Sequence, residues 1–157
     1  MWTVIDSALP ESVFTELATE KAKAIDLDPC LGAYSVHRSE EFRQSEAAQC
    51  IYSHVEKLVG PVTWIGAYFV LTSKGDMGSN PHYDMGPTAI LHLAKEWAPE
   101  YGGQFVVLKS DEETIEELVE YKPNRLVVCS EDVCHRHLAP VVDQRRITLV
   151  SRFKLRD

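Results

Sequence analysis

The chain has 157 residues, 45% hydrophobic and 25% charged, which fits one globular domain spanning 1–157 and excludes a disordered or fibrous protein. A formal net charge of -8 argues against nucleic acid or an anionic membrane as the main partner. No apolar run could span a bilayer and no secretory leader is recognisable, so a cytoplasmic location is expected.

Trp2 to Ile5 reads as a short edge strand. Ser7 offers an N-cap and Pro10 falls near a first helical turn, after which Phe14, Leu17, Ala18, Ala22 and Ile25 recur at helical spacing, predicting a helix over 10–25. Asp26 to Gly32 carries turn signals. A second amphipathic helix is expected from about Ser39, with Ala48, Ile51, Tyr52, Val55, Leu58 and Val59 on one face and Gly60-Pro61 ending it. The helical support is thus placed at about 7–60.

The period changes at residue 62. Val62 to Thr72, Thr88 to Leu93, Gln104 to Leu108, Arg125 to Cys129, Leu138 to Val142 and Ile147 to Phe153 are rich in β-branched and aromatic residues and are separated by Gly, Pro and Asn clusters. Short strands without long intervening helices predict an antiparallel sandwich or barrel over about 62–155. Ser110 to Tyr121, opening on Asp111-Glu112-Glu113, reads as a short helix or an acidic solvated loop. Cys30, Cys50, Cys129 and Cys134 show no C-x-x-C pairing, so free thiols are expected.

His82-Tyr83-Asp84 carries the chemistry. On a strand, a histidine and a carboxylate two residues apart share a face and can grip one ion together. A third ligand is sought in Cys134-His135-Arg136-His137. Two imidazoles and one carboxylate on one face of an octahedron leave three positions open, the arrangement of non-haem iron(II) oxygenases. A lone His-x-Asp is more often plain surface, so its surroundings decide.

Those surroundings resemble a known family. His82-Tyr83-Asp84, Leu93-Ala94-Lys95-Glu96-Trp97, Tyr101-Gly102-Gly103-Gln104-Phe105, Pro123-Asn124-Arg125-Leu126-Val127-Val128, His135-Arg136, Ala139-Pro140 and Arg146-Ile147-Thr148-Leu149 follow one another. In order and spacing they resemble the 2-oxoglutarate- and iron(II)-dependent oxygenases of the prolyl hydroxylase type. The resemblance implies a mainly β fold with α, a double-stranded β-helix (jelly roll, cupin-like) flanked by N-terminal helices. It also implies iron(II) held by His82, Asp84 and a distal histidine, with 2-oxoglutarate as cosubstrate, O2 as oxidant and ascorbate as an optional further cofactor.

In the resembling sequences a proline falls five residues after the distal ligand, which selects His135, with His137 as the alternative. The far carboxylate of the cosubstrate is bound by a basic residue about ten positions further on. Arg145 and Arg146 stand there; neighbouring strand residues face opposite ways, and the pattern Arg146-Ile147-Thr148-Leu149 favours Arg146. His92 stands where the family often has a cosubstrate-binding tyrosine, and Tyr68 and Thr72 are further cosubstrate-binding candidates by position. His37 and His54 have no such context.

The implied reaction is hydroxylation of an unactivated C–H bond, with a prolyl residue in a peptide or protein as the favoured substrate. A free amino acid or other small metabolite is the runner-up. A metal-binding β-barrel module without catalysis is the reading from a different class, and neither nucleic acid nor membrane is an expected partner.

Overall fold

The computed structural model describes residues 1–27, 34–37 and 40–156, with the side chains of 20–27, 34–37, 40 and 41 outside the description. The predicted turn over 26–32 falls almost wholly outside the described residues, as do Cys30, Ser39 and the side chains of Ala22 and Ile25.

Alternation along four strands builds the architecture. In β3 (Val62–Thr72), Ala67 and Phe69 pack beneath the helices while Tyr68, Val70 and Thr72 face the other way. Likewise Ala89 and Leu91 of β4 (Thr88–His92), Leu126 and Val128 of β7 (Leu126–Cys129), and Leu149 and Phe153 of β9 (Arg146–Leu155) join the helix-side core. Their neighbours Ile90, Val127, Cys129 and Val150 join a second core. One sheet therefore has two buried faces.

The sheet is antiparallel and six-stranded, in the order β1-β7-β4-β9-β3-β2, with β1 at Trp2–Ile5 and β2 at Tyr34–His37 on its edges. A three-stranded sheet, β6-β5-β8, consists of Ile115–Val119, Phe105–Leu108 and His135–His137. Phe105, Val107 and Val119 of this smaller sheet close the second core against the larger one. Antiparallel sheets packed in this way form the expected jelly roll.

The helical layer is α1 (Glu11–Leu27), α2 (Glu40–Gln44) and α3 (Glu46–Val59). What reads as one helix from Ser39 is two, because Ser45 is extended and its side chain accepts from the Ala48 N–H at 3.2 Å, capping α3. Gly60, at φ 89°, ends α3, its N–H reaching Glu56 O at 3.0 Å. Ile51 and Val55 are wholly buried, each burial stabilising by about 1.5–3 kcal/mol. Ser7 is no N-cap: it turns at φ 51°, and α1 starts at Glu11. The turn before α1 is fixed instead by Asn124, whose amide accepts from Leu9 N–H and donates to Leu9 O, both at 2.9 Å.

Two further expectations are corrected. Ser110 to Tyr121 contains β6, an edge strand whose Ile115 to Leu118 are all exposed, so no buried alternation marks it. The strand expected over Leu138 to Val142 is absent; the ladder runs earlier, through His135–His137, and beyond it only an isolated bridge joins Gly102 to Pro140. Among the described residues no helix is long and apolar enough to cross a membrane.

Candidate active site

His82 and His135 are locked opposite each other by the backbone. Each donates its N–H to the other's carbonyl at 3.0 Å, a single antiparallel bridge between the 78–84 loop and β8. His82 thus sits at a bridge rather than in a ladder strand, and Asp84 lies outside any strand. Both nevertheless point to the same side, and the two imidazoles stand 4.5 Å apart.

The ring orientations set the tautomers. His82 Nδ1–H donates to Asn80 O at 2.8 Å and His135 Nδ1–H donates to Val133 O at 3.0 Å. Each histidine thereby turns a bare Nε2 lone pair inward. Burial lowers the His135 pKa, more than the Asp84 carboxylate raises it, so the ring is neutral. His135 Nε2 lies 3.5 Å from Asp84 Oδ2, two acceptors facing each other rather than an ion pair. Ligand atoms of His82, Asp84 and His135 all fall within 4.8 Å of one another. Converging lone pairs of two imidazoles and a carboxylate are the donor set of a divalent transition metal, which would remove their repulsion. His137 lines the same cavity but is not in this cluster, its Nε2 lying 3.2 Å from Thr72 Oγ1.

The same cavity reaches Arg146. Tyr68, Val70, Ile90, Phe105 and Val150 line it together with the metal-type cluster and the arginine. Arg146 is 1% exposed, whereas Arg145 is exposed, as strand parity requires. Its Nε–H donates to Gly103 O at 2.7 Å and Nη1 reaches Thr148 Oγ1 at 3.5 Å, while Nη2 is buried without a partner among the described residues. Burial pushes its pKa down to about 10, so it remains a cation at neutral pH. A buried, unneutralised guanidinium is costly and is the natural seat of a carboxylate. Gly103, at φ 75°, makes room for it: a Cβ there would stand 3.2 Å from Arg146 Cδ and 3.1 Å from the Trp97 ring.

Of the other candidates, Tyr68 lines the cavity, while Thr72 and His92 do not. His92 is fully buried, and its Nδ1 accepts from the Lys122 N–H at 3.2 Å, which leaves the proton on an unpartnered Nε2. Burial, and then the Arg146 charge, hold it well below the usual histidine range. It stacks on Tyr121 at 4.3 Å, and Arg146 lies over the same ring.

Two residues at the site escape the sequence reading. Arg152 Nη2 donates to Asp84 Oδ1 at 2.5 Å, and its place six residues after Arg146, on the same face of β9, is the signal that could have found it. Tyr121 follows β6 and carries no such signal.

No protein-family model matches this chain and no curated protein does. Solved structures do. A prolyl-4-hydroxylase of Pseudomonas putida is 21% identical with a TM-score of 0.76, covering 99% of this chain and 93% of its own. The non-haem α-ketoglutarate-dependent epimerase SnoN of nogalamycin biosynthesis is 14% identical with a TM-score of 0.76, covering 98% and 78%. A prolyl hydroxylase of Trichoplax adhaerens, in complex with a peptide fragment of the hypoxia inducible factor oxygen degradation domain, is 13% identical with a TM-score of 0.74, covering 98% and 83%. The fold is that of the iron- and 2-oxoglutarate-dependent oxygenases, a jelly roll matched along almost the whole chain.

Proposed function

We propose that this chain is an iron(II)- and 2-oxoglutarate-dependent dioxygenase that hydroxylates an unactivated C–H bond, with a prolyl residue of a peptide or protein as its substrate. The observation that carries the reading is the pairing, in one cavity, of converging lone pairs on His82, Asp84 and His135 with the unneutralised guanidinium of Arg146. Either feature alone has simpler uses. Together they match a metal and a carboxylate-bearing cosubstrate that must bind side by side.

His82, Asp84 and His135 would hold the metal. Bound iron(II), with 2-oxoglutarate and O2, supplies oxidising power that no side chain has. The protein's own contribution is placement. Arg146 offers the cosubstrate's far carboxylate a guanidinium fork, and Thr148 and Gly103 O hold that fork still. Val70, Ile90, Phe105 and Val150 keep water from the space between, which strengthens the arginine's pull. Tyr68 adds a hydroxyl to the same wall, whereas Thr72 supports His137 instead.

The prolyl assignment is supported by the two prolyl hydroxylases among the similar structures, one holding a peptide. The epimerase among them supports a small-molecule substrate as the second reading. A module that only binds metal would have no use for Arg146 buried as a cation. The deciding measurement is succinate formed from 2-oxoglutarate when anaerobically iron-loaded protein meets air. Turnover stimulated by prolyl peptides and not by free amino acids would establish the substrate class, and no succinate under either condition would sink the enzyme reading.

A further inference from the structure

The Asp84 carboxylate is divided between two partners. Oδ2 faces the His135 Nε2 lone pair at 3.5 Å, and Oδ1 accepts from Arg152 Nη2 at 2.5 Å. A carboxylate with both oxygens free can bind a metal through both and fill two positions; one whose second oxygen is already held offers one. Building on the proposed iron site, we propose that Arg152 is a positioning residue that keeps Asp84 a single-oxygen ligand, so that three positions stay open for cosubstrate and O2.

The sequence around Arg152 provides for this. It follows Arg146, Thr148 and Val150 on the barrel face of β9, and its cross-strand partners there are Gly66 and Thr88, both small enough to let a long side chain lie across them. The loop bearing Asp84 is fastened beside it. Phe153 N–H donates to Pro87 O at 2.9 Å, and a Cβ on Gly86 would stand 2.4 Å from Phe153 O. The carboxylate side chain is 9% exposed and the arginine 37%, so the bond's acceptor end is sheltered while its donor comes from the rim.

Charge alone predicts something different. A guanidinium beside a cation site repels the metal, so replacing it with a neutral residue would tighten metal binding and leave cosubstrate binding unchanged. Placement predicts that the metal is retained while the cosubstrate suffers, because the released Oδ1 closes onto the metal and takes a position that 2-oxoglutarate needs.

The test titrates Co(II) into wild-type protein, Arg152→Met and Arg152→Lys, following visible absorption, and then titrates 2-oxoglutarate into each Co(II)-loaded protein. Arg152→Met is expected to bind Co(II) at least as tightly as wild type, with an altered absorption band, and to bind 2-oxoglutarate roughly tenfold more weakly. Arg152→Lys, which still caps Oδ1, should recover most of that loss. Wild-type cosubstrate affinity in Arg152→Met would overturn the assignment. So would loss of Co(II) itself, which would make Arg152 a requirement for the metal. Arg152→Ser, read by the same criteria, takes the place of Arg152→Met if that variant does not fold. Failure of wild-type protein to bind Co(II) or 2-oxoglutarate would instead refute the underlying oxygenase reading.

Discussion

The Arg146 guanidinium lies 5.2 Å over the ring of Tyr121, and His92 stacks against that same ring at 4.3 Å. The aromatic face is an electron-rich surface against this buried cation, beside the Gly103 carbonyl and the Thr148 hydroxyl. It lessens the cost of the charge without occupying Nη2, which stays available for an anion. The arginine is therefore stabilised only partway, and the remainder is left for a ligand to supply.

That incompleteness gives Arg146→Met two opposite effects. The KM for 2-oxoglutarate should rise by a factor corresponding to about 2–5 kcal/mol, because a charge-assisted pair is lost from a buried site. The urea midpoint of the cofactor-free protein should move upward, because an uncompensated buried charge is gone. Arg145→Ala, altering an exposed neighbour, should change neither. Steady-state kinetics beside equilibrium unfolding of both variants checks the pair; equal effects of the two substitutions would remove Arg146 from the cosubstrate site.

Tyr121→Phe separates the ring from its hydroxyl. The hydroxyl accepts from Leu93 N–H at 3.1 Å and Ala94 N–H at 2.9 Å and donates to Ile147 O, tying the end of β4 to β9. Phenylalanine keeps the face under Arg146 but leaves Ala94 N–H without its partner, while Leu93 N–H still donates to Ile147 O at 2.9 Å, at a cost of about 2 kcal/mol. Stability by denaturant unfolding should fall by that amount while the cosubstrate KM stays near the wild-type value. A KM that moved with stability would show that the hydroxyl, not the ring, holds the arginine.

How much of this was legible follows from which residues advertise themselves. Strands β3, β4, β7 and β9 bury both faces, so their β-branched and aromatic runs stand out from sequence alone. Strand β6 is an edge with four exposed residues, and its Ile115-Glu116-Glu117-Leu118-Val119 shows no period-2 alternation. Strand β8 is three residues long, too short for any period, and its backbone pairing with His82 comes from tertiary contact. Ser45 reads as one more polar position on a helix until its side chain is seen to cap. His82, Asp84 and His135 were named from spacing and family likeness and do converge, but Asp84 has no strand to sit on. The strand parity that distinguishes Arg146 from Arg145 applies equally to Arg152, six residues further along the same face.

Asp6 offers a test of the scaffold away from the site. Its carboxylate receives Arg125 Nε at 2.6 Å and Nη2 at 3.0 Å, with Lys122 Nζ at 3.1 Å, joining the chain after β1 to the turn before β7. The Arg125 hydrogen bonds foremost lower its pKa from 3.8 to about 2. A depressed carboxylate stabilises the fold above its unfolded value and loses that contribution as pH falls. Asp6→Asn should cost about 1 kcal/mol near neutral pH, a modest figure because the carboxylate is 44% exposed. The difference from wild type should hold above pH 3.8 and shrink on approach to about 2. Urea unfolding across that range measures it, and a difference independent of pH would mean that packing, not charge, is lost.

The last prediction concerns the choice of distal ligand. His135 and His137 lie on one strand face with Cα atoms about 6.5–7 Å apart, too far for either to replace the other without moving the backbone. The backbone pairs His135 with His82, and its free Nε2 points at Asp84, whereas the Nε2 of His137 is engaged by Thr72. His135→Ala should therefore lose iron on dialysis and, with it, all cosubstrate turnover. His137→Ala should retain iron and alter turnover only through the cavity wall that His137 lines. Asp84→Ala is the reference, expected to lose metal with little loss of stability because releasing Arg152 frees a half-exposed side chain to water. Iron content measured beside succinate production for the three variants distinguishes the roles. A metal-free His137→Ala with His135→Ala still loaded would move the ligand two residues along the strand, and would require β8 to shift its register against His82.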